Sequence, residues 1–180
     1  MLELVSPTVR LHRAWLEAHA EWGQGAHEDG FGLTAGDEVT TESEFSTWLA
    51  RLVAQGEPIT PSASASPRCT YRWIVQDDEV LGAIALRHGE SDYVRWAGHL
   101  GYGIRPSARG RGLAAWAVRQ MLVVARQLGL DRVLVVCAVD NEASIATIER
   151  CGGLFEAVAA TPFGPVRRYW IELDAADTPE

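Results

Sequence analysis

The sequence predicts a single domain of the α/β class in the α+β arrangement, with helices flanking a mixed, mostly antiparallel sheet of about six or seven strands. Two apolar runs separated by only three acidic residues are typical of an antiparallel hairpin. Further along, a strand enters a glycine-rich loop that opens a long amphipathic helix. A nearly continuous apolar run after that helix is expected of a strand buried on both faces. The 180 residues are enough to bury a substantial core.

The N-terminal part is expected to contribute one strand and two helices. Thr41 and Glu44 have the spacing of a capping box at the start of the second helix, which ends near Gly56. Five glycines within residues 23–39 indicate a loop, and residues 58–67, rich in Pro, Ser and Ala, are expected to be flexible. The predicted elements are a strand at Leu2–Val5, a helix from Pro7 to about Trp22 and a helix from Thr41 to Gly56.

Residues 1–180 are treated as one domain, in which residues 1–57 form the N-terminal part and residues 70–173 the core. Gly129 and the pair Gly152–Gly153 are the expected stops of two helices. The sequence contains no internal repeat. The predicted strands are Tyr71–Gln76, Val80–Arg87, Trp96–Ile104, Val133–Val139, Phe155–Ala159 and Val166–Leu173, and the predicted helices are Gly110–Leu128 and Asn141–Cys151.

The composition argues against several classes of protein. A net charge of −8 argues against general nucleic-acid binding, which needs a basic face, and is compatible with a small cationic substrate. Cys69, Cys137 and Cys151 have neither a disulfide pattern nor metal-ligand spacing, so no metal is expected. The chain has no signal-peptide pattern and no apolar run of membrane-spanning length. We therefore expect a cytoplasmic protein that does not contact a membrane; a homodimer is left open.

The segment from His99 to Ala114 is the most informative about function. Gly110 and Gly112 lack a Cβ, so the backbone there can approach an anion closely. The first amides of the following helix are unsatisfied and lie at the positive end of the helix dipole. Arg109 and Arg111 add positive charge beside those amides. This combination predicts a site for a phosphate group.

The predicted order of elements, with this loop after the fourth strand, resembles the GNAT superfamily of acyl-CoA-dependent N-acetyltransferases. The family's pyrophosphate motif is Arg or Gln, two residues, Gly, one residue, then Gly or Ala, and Arg109–Ala114 matches it in register. Asn141–Ser144 follows the buried strand, where the family places an Asn that contacts pantetheine. More narrowly, Leu86–His88, His99–Ser107 and Arg167–Ile171 resemble a largely uncharacterised group of predicted bacterial acetyltransferases.

The resemblance implies that acetyl-CoA is the co-substrate and that it binds where strands 4 and 5 of the sheet splay apart. Its pantetheine, a chain of amides, can add to a free strand edge. Backbone groups around Tyr102 are implied to bond it, while Tyr102 or its neighbours line the acyl pocket. The implied coenzyme A-binding residues are Tyr102, Gly103, Ile104, Arg109, Gly110, Arg111, Gly112, Leu113, Ala114, Asn141 and Ser144.

Acetyl transfer from a thioester to an amine requires the amine to lose a proton, because an alkylammonium with a pKa near ~10.4 is almost wholly protonated at neutral pH. His99, on the predicted fourth strand, is the leading candidate for the base, and His88 is the second. A structural histidine is the alternative interpretation of both residues. Glu90 and Asp92 are candidates for a proton relay through water.

The sequence departs from the family pattern at one position. Many family members have a Tyr seven residues after the Asn, which protonates the leaving thiolate, and this chain has Ile148 there. Cys151 follows one helical turn later, where a buried structural cysteine is the alternative to a residue of the site. The identity of the general acid therefore stays open.

The leading hypothesis is an enzyme that transfers an acetyl group from acetyl-CoA to a primary amine of a small molecule, by direct attack in a ternary complex. One alternative is a protein or peptide N-acetyltransferase. Another, favoured by Ile148, is a catalytically silent acyl-CoA-binding module. A dinucleotide-binding Rossmann domain is disfavoured, because its glycine loop follows the first strand and three predicted antiparallel strands precede the loop here.

Overall fold

In the computed structural model, residues 1–23, 28–56 and 68–173 are described, and they form one seven-stranded sheet with helices on both faces. The segment predicted to be flexible, residues 58–67, lies outside the described residues. The strands are β1 Leu2–Val5, β2 Cys69–Gln76, β3 Glu79–Arg87, β4 Leu100–Ile104, β5 Arg132–Ala138, β6 Leu154–Thr161 and β7 Gly164–Glu172.

The strand order is β1-β2-β3-β4-β5-β7-β6, and every neighbouring pair is antiparallel except β4–β5. No described helix is long and apolar enough to cross a bilayer. The helices are α1 His12–Ala20, α2 Glu42–Gly56, α3 Asp92–Ala97, α4 Leu113–Gln127 and α5 Glu142–Arg150, with short 3₁₀ turns at Val9–Leu11 and Pro106–Ala108.

The sheet separates two hydrophobic layers. In one layer α4 and α5 cover the sheet, and Met121 of α4 is fully buried there. In the other layer α1 and α2 cover it, with Trp15 of α1 packed 4.9 Å from Trp48 of α2 between ring centres. Neighbouring residues of β3 alternate between the layers, since Ile84 joins the first and Ala83 the second. The helix after the glycine loop and the N-terminal helices therefore lie on opposite faces.

The main local predictions for the N-terminal half are confirmed. The β2–β3 hairpin turns at Asp77 and Asp78, whose φ angles of 51° and 63° are those of a type I′ turn. The capping box of α2 is reciprocal, because Thr41 N donates to Glu44 Oε2 at 2.8 Å and Glu44 N donates to Thr41 Oγ1 at 3.3 Å.

The first helix, expected from Pro7, begins at His12 after a 3₁₀ turn at Val9–Leu11. Within residues 70–173, two predicted boundaries are wrong by three residues or more. The strand expected from Trp96 begins only at Leu100, because Asp92–Ala97 forms α3. Ser91 starts this helix, since its Oγ accepts a hydrogen bond from Val94 N at 3.1 Å.

The second wrong boundary is the start of the long helix. It was expected at Gly110 and lies at Leu113. Gly110 and Gly112 have φ angles of +76° and +75°, in the left-handed region that ends rather than continues a right-handed helix.

The expected splay between strands 4 and 5 is present. Leu100 and Val135 are the one register pair between β4 and β5, and an isolated bridge joins Gly98 to the same Val135. From Gly101 to Ile104, β4 is paired with β3 on one side and with no described strand on the other. This unpaired stretch of backbone is the open edge of the sheet.

Candidate active site

A cleft of about 500 Å³ lies at this open edge. It is bounded by β4, by the loop that leads to α4, by the first turn of α4 and by one side of α5. Ten of the eleven residues assigned to coenzyme A from the sequence line it, and Arg111 does not. The ten are Tyr102, Gly103, Ile104, Arg109, Gly110, Gly112, Leu113, Ala114, Asn141 and Ser144.

The N-terminus of α4 is left open towards the cleft. Gly112 is its N-cap residue, no described side chain caps it, and its first turn contains no acidic residue. A Cβ at Gly110 or Gly112 would meet no atom of the described residues within 4 Å, so neither glycine is covered by this part of the chain. By contrast, Ser91 caps α3 and Asn141 caps α5. The unpaired amides and the dipole of α4 therefore make a site for an anion.

The two arginines of the loop lie in different surroundings. Arg109 Nε donates to the carbonyl oxygen of Ile104 at 3.0 Å, and its guanidinium lies 5.2 Å from the centre of the Trp22 ring. These contacts hold its positive charge beside the cleft. Arg111 instead donates from Nη2 to Gln76 Oε1 at 2.9 Å. A contact between Arg111 and the cofactor therefore stays a prediction.

One side of α5 supplies polar groups to the cleft. Asn141 Oδ1 accepts a hydrogen bond from Ser144 N at 3.1 Å, so the Asn141 carboxamide both caps the helix and borders the cleft. Thr147 and Arg150 also line the cleft, and the sequence reasoning missed them. Ser144, Thr147 and Arg150 follow one another at intervals of three residues, and this was the available signal, because residues so spaced lie on one side of a helix.

Tyr102 brings a hydroxyl into the cleft. This hydroxyl is buried close to the side chain of Ser144, and it has no partner with hydrogen-bond geometry among the described residues. Burial raises the pKa of the Tyr102 phenol, so the group stays protonated at neutral pH. It is therefore suited to donate a hydrogen bond and is a poor source of a transferable proton.

His99 is buried where β4 and β5 join and does not line the cleft. Its Nδ1 accepts a hydrogen bond from Leu134 N at 2.9 Å, and its backbone N donates to Leu134 O at 2.7 Å. In the neutral ring the proton is then on Nε2, and no lone pair is left to accept another. Burial also lowers the pKa of His99. These contacts argue against the predicted role as base and match the structural alternative. In that alternative, the two hydrogen bonds between His99 and Leu134 hold β4 and β5 together at the end where the strands still pair.

Replacing His99 separates these two roles. His99→Leu leaves Leu134 N without a partner, and we expect a loss of about 1–3 kcal/mol in the free energy of unfolding. His99→Asn, whose Oδ1 can take the place of Nδ1, should recover most of this loss.

The stability that depends on His99 also varies with pH. Because the pKa of His99 lies below its ordinary value of 6.5, unfolding takes up a proton on acidification. Urea titrations should therefore show the parent losing stability relative to His99→Asn as the pH falls below 6.5. Equal losses of unfolding free energy in the Leu and Asn variants would contradict the structural role of the bond between His99 and Leu134.

The other acid–base candidates lie away from the cleft. His88 Nε2 is 2.7 Å from Thr70 Oγ1, and burial lowers the pKa of the His88 ring. Glu90 and Asp92 are exposed, and Asp92 pairs with Arg95 at 3.3 Å. None of the three candidates is among the residues that line the cleft.

The position of the absent family tyrosine is filled by the core. Ile148 is buried in the layer formed by α4 and α5 and contributes no polar group to the cleft. Cys151 lies between these helices, where its thiol is 3.5 Å from the carbonyl oxygen of Ala115, and burial raises the pKa of the thiol. This environment is typical of a structural cysteine.

Glu21, at the end of α1, forms hydrogen bonds with the loop that leads from β4 to the cleft. Its carboxylate accepts a hydrogen bond from Arg105 Nε at 3.0 Å, a second from Arg105 Nη2, and one each from the backbone N and Oγ of Ser107 at 3.0 Å. Bonding to Arg105 lowers the pKa of Glu21 to about 2 from an ordinary 4.5. The side chain of Glu21 is 27% exposed and that of Arg105 is 14% exposed, so solvent screens their interaction little.

Removing this charge is expected to destabilise the protein in a pH-dependent way. Glu21→Gln should lower the free energy of unfolding by about 1–3 kcal/mol at neutral pH. The contribution of Glu21 is full above its ordinary pKa of 4.5 and is lost as the pH falls towards about 2. Urea titrations should thus show a difference from the parent that shrinks over this range. Glu3→Gln, at an exposed position on β1, is the control and should stay near the parent. A difference independent of pH would overturn this account.

Asp29 also borders the cleft, and the sequence reasoning did not identify it. It belongs to the glycine-rich loop after α1, which lies on β4 so closely that a Cβ at Gly103 would be 2.7 Å from the Asp29 carbonyl oxygen. The same loop needs Gly30, where a Cβ would be 2.5 Å from the carbonyl oxygen of Ala83. Asp29 lines both the cleft and a second pocket of about 290 Å³ on the opposite face of the sheet.

Solved structures share this fold across almost the whole chain. One is an acetyltransferase from Salmonella typhimurium that modifies the N-terminal serine of a 50S ribosomal subunit protein (17% identity, 96% of this chain and 95% of that chain, TM-score 0.67). A second is the microcin self-immunity acetyltransferase MccE in complex with acetyl-CoA and AMP (16% identity, 95% of this chain and 92% of that chain, TM-score 0.65). A third is the ribosomal-protein α-N-acetyltransferase RimL in complex with coenzyme A (18% identity, 96% of this chain and 94% of that chain, TM-score 0.70). At these identities, the similarity shows the fold.

The family assignment comes from the sequence profile of the acetyltransferase (GNAT) domain, which matches residues 33–153. A search of the curated proteins found no match. The matched range includes the open edge of β4, the glycine loop and α5. The chain therefore belongs to the GNAT acetyltransferase family and is an acetyl-CoA-dependent N-acetyltransferase.

Proposed function

We propose that this enzyme acetylates the primary amine of a small molecule by direct attack within a ternary complex. The observation that carries the proposal is that two sets of backbone groups without hydrogen-bond partners among the described residues line the same cleft. These are the uncapped N-terminus of α4 and the unpaired edge of β4. The first suits an anion and the second suits an extended chain of amides.

The cleft residues fit acetyl-CoA, which supplies an activated acetyl thioester. The amides of Leu113 and Ala114 and the guanidinium of Arg109 would hold the pyrophosphate, since Gly112 leaves their approach open. Backbone groups from Gly101 to Ile104 would bond the pantetheine amides. Arg150, at the far end of the same face of α5, would add a second positive charge.

The chain must also accept a proton from the amine, and we assign this role to Asp29. It is the one described residue that lines both the cleft and the second pocket. An ammonium group beside this carboxylate is held by opposite charge until it loses its proton. In the transfer, a nitrogen–carbon bond forms and the carbon–sulfur bond breaks. The ammonium group loses two protons in all: Asp29 accepts the first and passes it to solvent, and the sulfur takes up the second as coenzyme A leaves as the thiol. The buried hydroxyl of Tyr102 would donate a hydrogen bond within the acyl pocket.

Calorimetry with acetyl-CoA, followed by measurement of coenzyme A release over a panel of small amines, tests the proposal. We expect saturable acetyl-CoA binding and amine-dependent release. Mass spectrometry of the products is simple because the chain contains no lysine, so acetyl-lysine in an assay comes only from an added substrate. Binding without release on any amine would instead favour the silent acyl-CoA-binding module, and absence of binding would overturn the proposal.

Exposed aromatic side chains give some support to a protein N-terminus as the acceptor. Tyr93 lines the second pocket, Trp96 lies 4.7 Å from it between ring centres, and Phe163 of the β6–β7 turn lies 5.8 Å from Trp96. Phe163 is 83% exposed, so this row would be available to a peptide. Faster coenzyme A release with short peptides than with any small amine would favour this alternative.

A further inference from the structure

The second pocket is unusually rich in arginine for a chain with a net charge of −8. It lies on the face of the sheet covered by α2 and is lined by residues of α2, β2, β3, α3 and the glycine-rich loop. We call it the arginine pocket. Its charged and aromatic lining residues are Glu28, Asp29, Arg51, Arg68, Tyr71, Arg87 and Tyr93.

Two of its arginines have no acidic partner among the residues that the structure describes. Arg51 is neutralised, because its Nη2 lies 2.6 Å from Asp37 Oδ2 and also donates to Gly32 O at 3.1 Å. Glu28 pairs with a ring nitrogen of His19 outside the arginine pocket. Within residues 1–23, 28–56 and 68–173, neither Arg68 nor Arg87 forms an ion pair.

The unpaired guanidinium groups are partly withdrawn from water. Arg68 Nε is buried and has no hydrogen-bond partner among the described residues. Arg87 donates from Nη1 to Gly98 O at 3.1 Å, and its guanidinium lies 5.0 Å from the centre of the Tyr93 ring. Taking an arginine out of water without an anion is costly, so an anionic ligand would be stabilising here.

The arginine pocket reaches β4 at the point where the open edge begins. Arg87 Nη2 is 3.0 Å from the position that a Cβ of Gly101 would take. Gly101 directly follows Leu100, the last residue of β4 that pairs with β5. A ligand in the arginine pocket therefore lies against the same strand as the cleft, and Asp29 lines both spaces.

From this arrangement we infer that the acceptor is a small amino carboxylate, whose carboxylate binds Arg68 and Arg87 and whose amine lies beside Asp29. The inference rests on the proposed function and names its substrate class. A guanidinium pair matches a carboxylate in geometry and charge. The residue at the N-terminus of a peptide has an amide in place of that carboxylate and would leave both arginines unpaired. The volume of about 290 Å³ also suits one small molecule.

A paired substrate panel tests the inference directly. Free α- and β-amino acids are each compared with their own carboxamide at saturating acetyl-CoA, and coenzyme A release is followed. We expect at least one amino acid to exceed its carboxamide by about 10- to 100-fold in kcat/KM, which is the effect of a lost charge-assisted hydrogen bond. A panel in which no amino acid exceeds its carboxamide overturns the inference.

Variants of the two arginines show whether they cause the preference. Arg68→Gln and Arg87→Gln should each raise the KM of the preferred amino acid by about 10- to 100-fold, with a smaller change in kcat and little change for its carboxamide. Arg87→Lys keeps the charge and should recover part of the effect if Arg87→Gln folds poorly. Arg126→Gln, at an exposed position on α4, is the matched control. An unchanged preference in both Gln variants would contradict the assignment.

Acetyl-CoA affinity separates this inference from the proposed function. Calorimetry should give the same affinity for Arg68→Gln, Arg87→Gln and the parent, since neither arginine lines the cleft. If the parent fails to bind acetyl-CoA, the proposed function fails. If it binds and acetylates amines that carry no carboxylate equally well, the amino carboxylate inference alone fails.

Discussion

Gly112→Arg is expected to weaken acetyl-CoA binding by about 100-fold or more, through the loss of two or three charge-assisted hydrogen bonds to backbone amides. Gly112 has a φ of +75°, which an arginine adopts only with strain, and its Cβ would project into open space in front of these amides. The added charge is favourable to a phosphate. A loss of affinity would therefore report obstruction and backbone strain rather than repulsion.

The same helix offers a matched control for this variant. Gly129 lies at the other end of α4, with a φ of +80° and open space around a Cβ. Gly129→Arg should cost similar backbone strain, outside the cleft. We expect calorimetry to give parental acetyl-CoA affinity for Gly129→Arg and a large loss for Gly112→Arg. Equal affinities for both variants would show that the N-terminus of α4 does not hold the pyrophosphate.

Asp29→Asn is expected to lower kcat by about 100-fold or more, with little change in acetyl-CoA affinity, because a carboxamide does not accept the proton of the amine. The substitution preserves shape, so the loop should keep its packing on β4. Rates of coenzyme A release at saturating substrates measure the effect. Asp131→Asn, at an exposed position before β5, is the control and should keep the parental rate.

His99→Asn, compared in the same assay, distinguishes the two candidates for the base. If Asp29 has this role, His99→Asn should retain most of the parental kcat, because Asn keeps the bond to Leu134 N that orders the splay. If His99→Asn instead lowers kcat by about 100-fold and Asp29→Asn stays near the parental rate, the histidine is the base and the assignment to Asp29 is wrong.

Much of the cleft could be predicted because its signals are contiguous. The residues from Arg109 to Ala114 lie in one loop and one helical turn, and those from Asn141 to Ser144 begin another helix. Glycine conformations and uncapped amides follow from such short stretches. Arg111 is the exception, since its side chain turns towards Gln76 on β2, and neighbouring residues do not encode that direction.

The acid–base side of the site could not be predicted in this way. His99 looked suitable because its type and position fit a base, but the Leu134 amide occupies the nitrogen that would accept the proton. Asp29 looked like part of an ordinary glycine-rich loop until that loop was found packed on β4. For α3, the missed signal was local, because Ser91 is a good N-cap residue.

By itself, the sequence determined the order of the elements apart from α3, the capping of α2, the turn between β2 and β3, and the glycine loop before α4. Each of these follows from residues a few positions apart, whose interactions are set by local backbone geometry. Only the tertiary structure decided which polar groups remain available for chemistry. His99 meets Leu134 across 35 positions and Glu21 meets Arg105 across 84, and contacts at such distances depend on how the sheet assembles. The same assembly brings Asp29, Arg68 and Arg87 to one pocket.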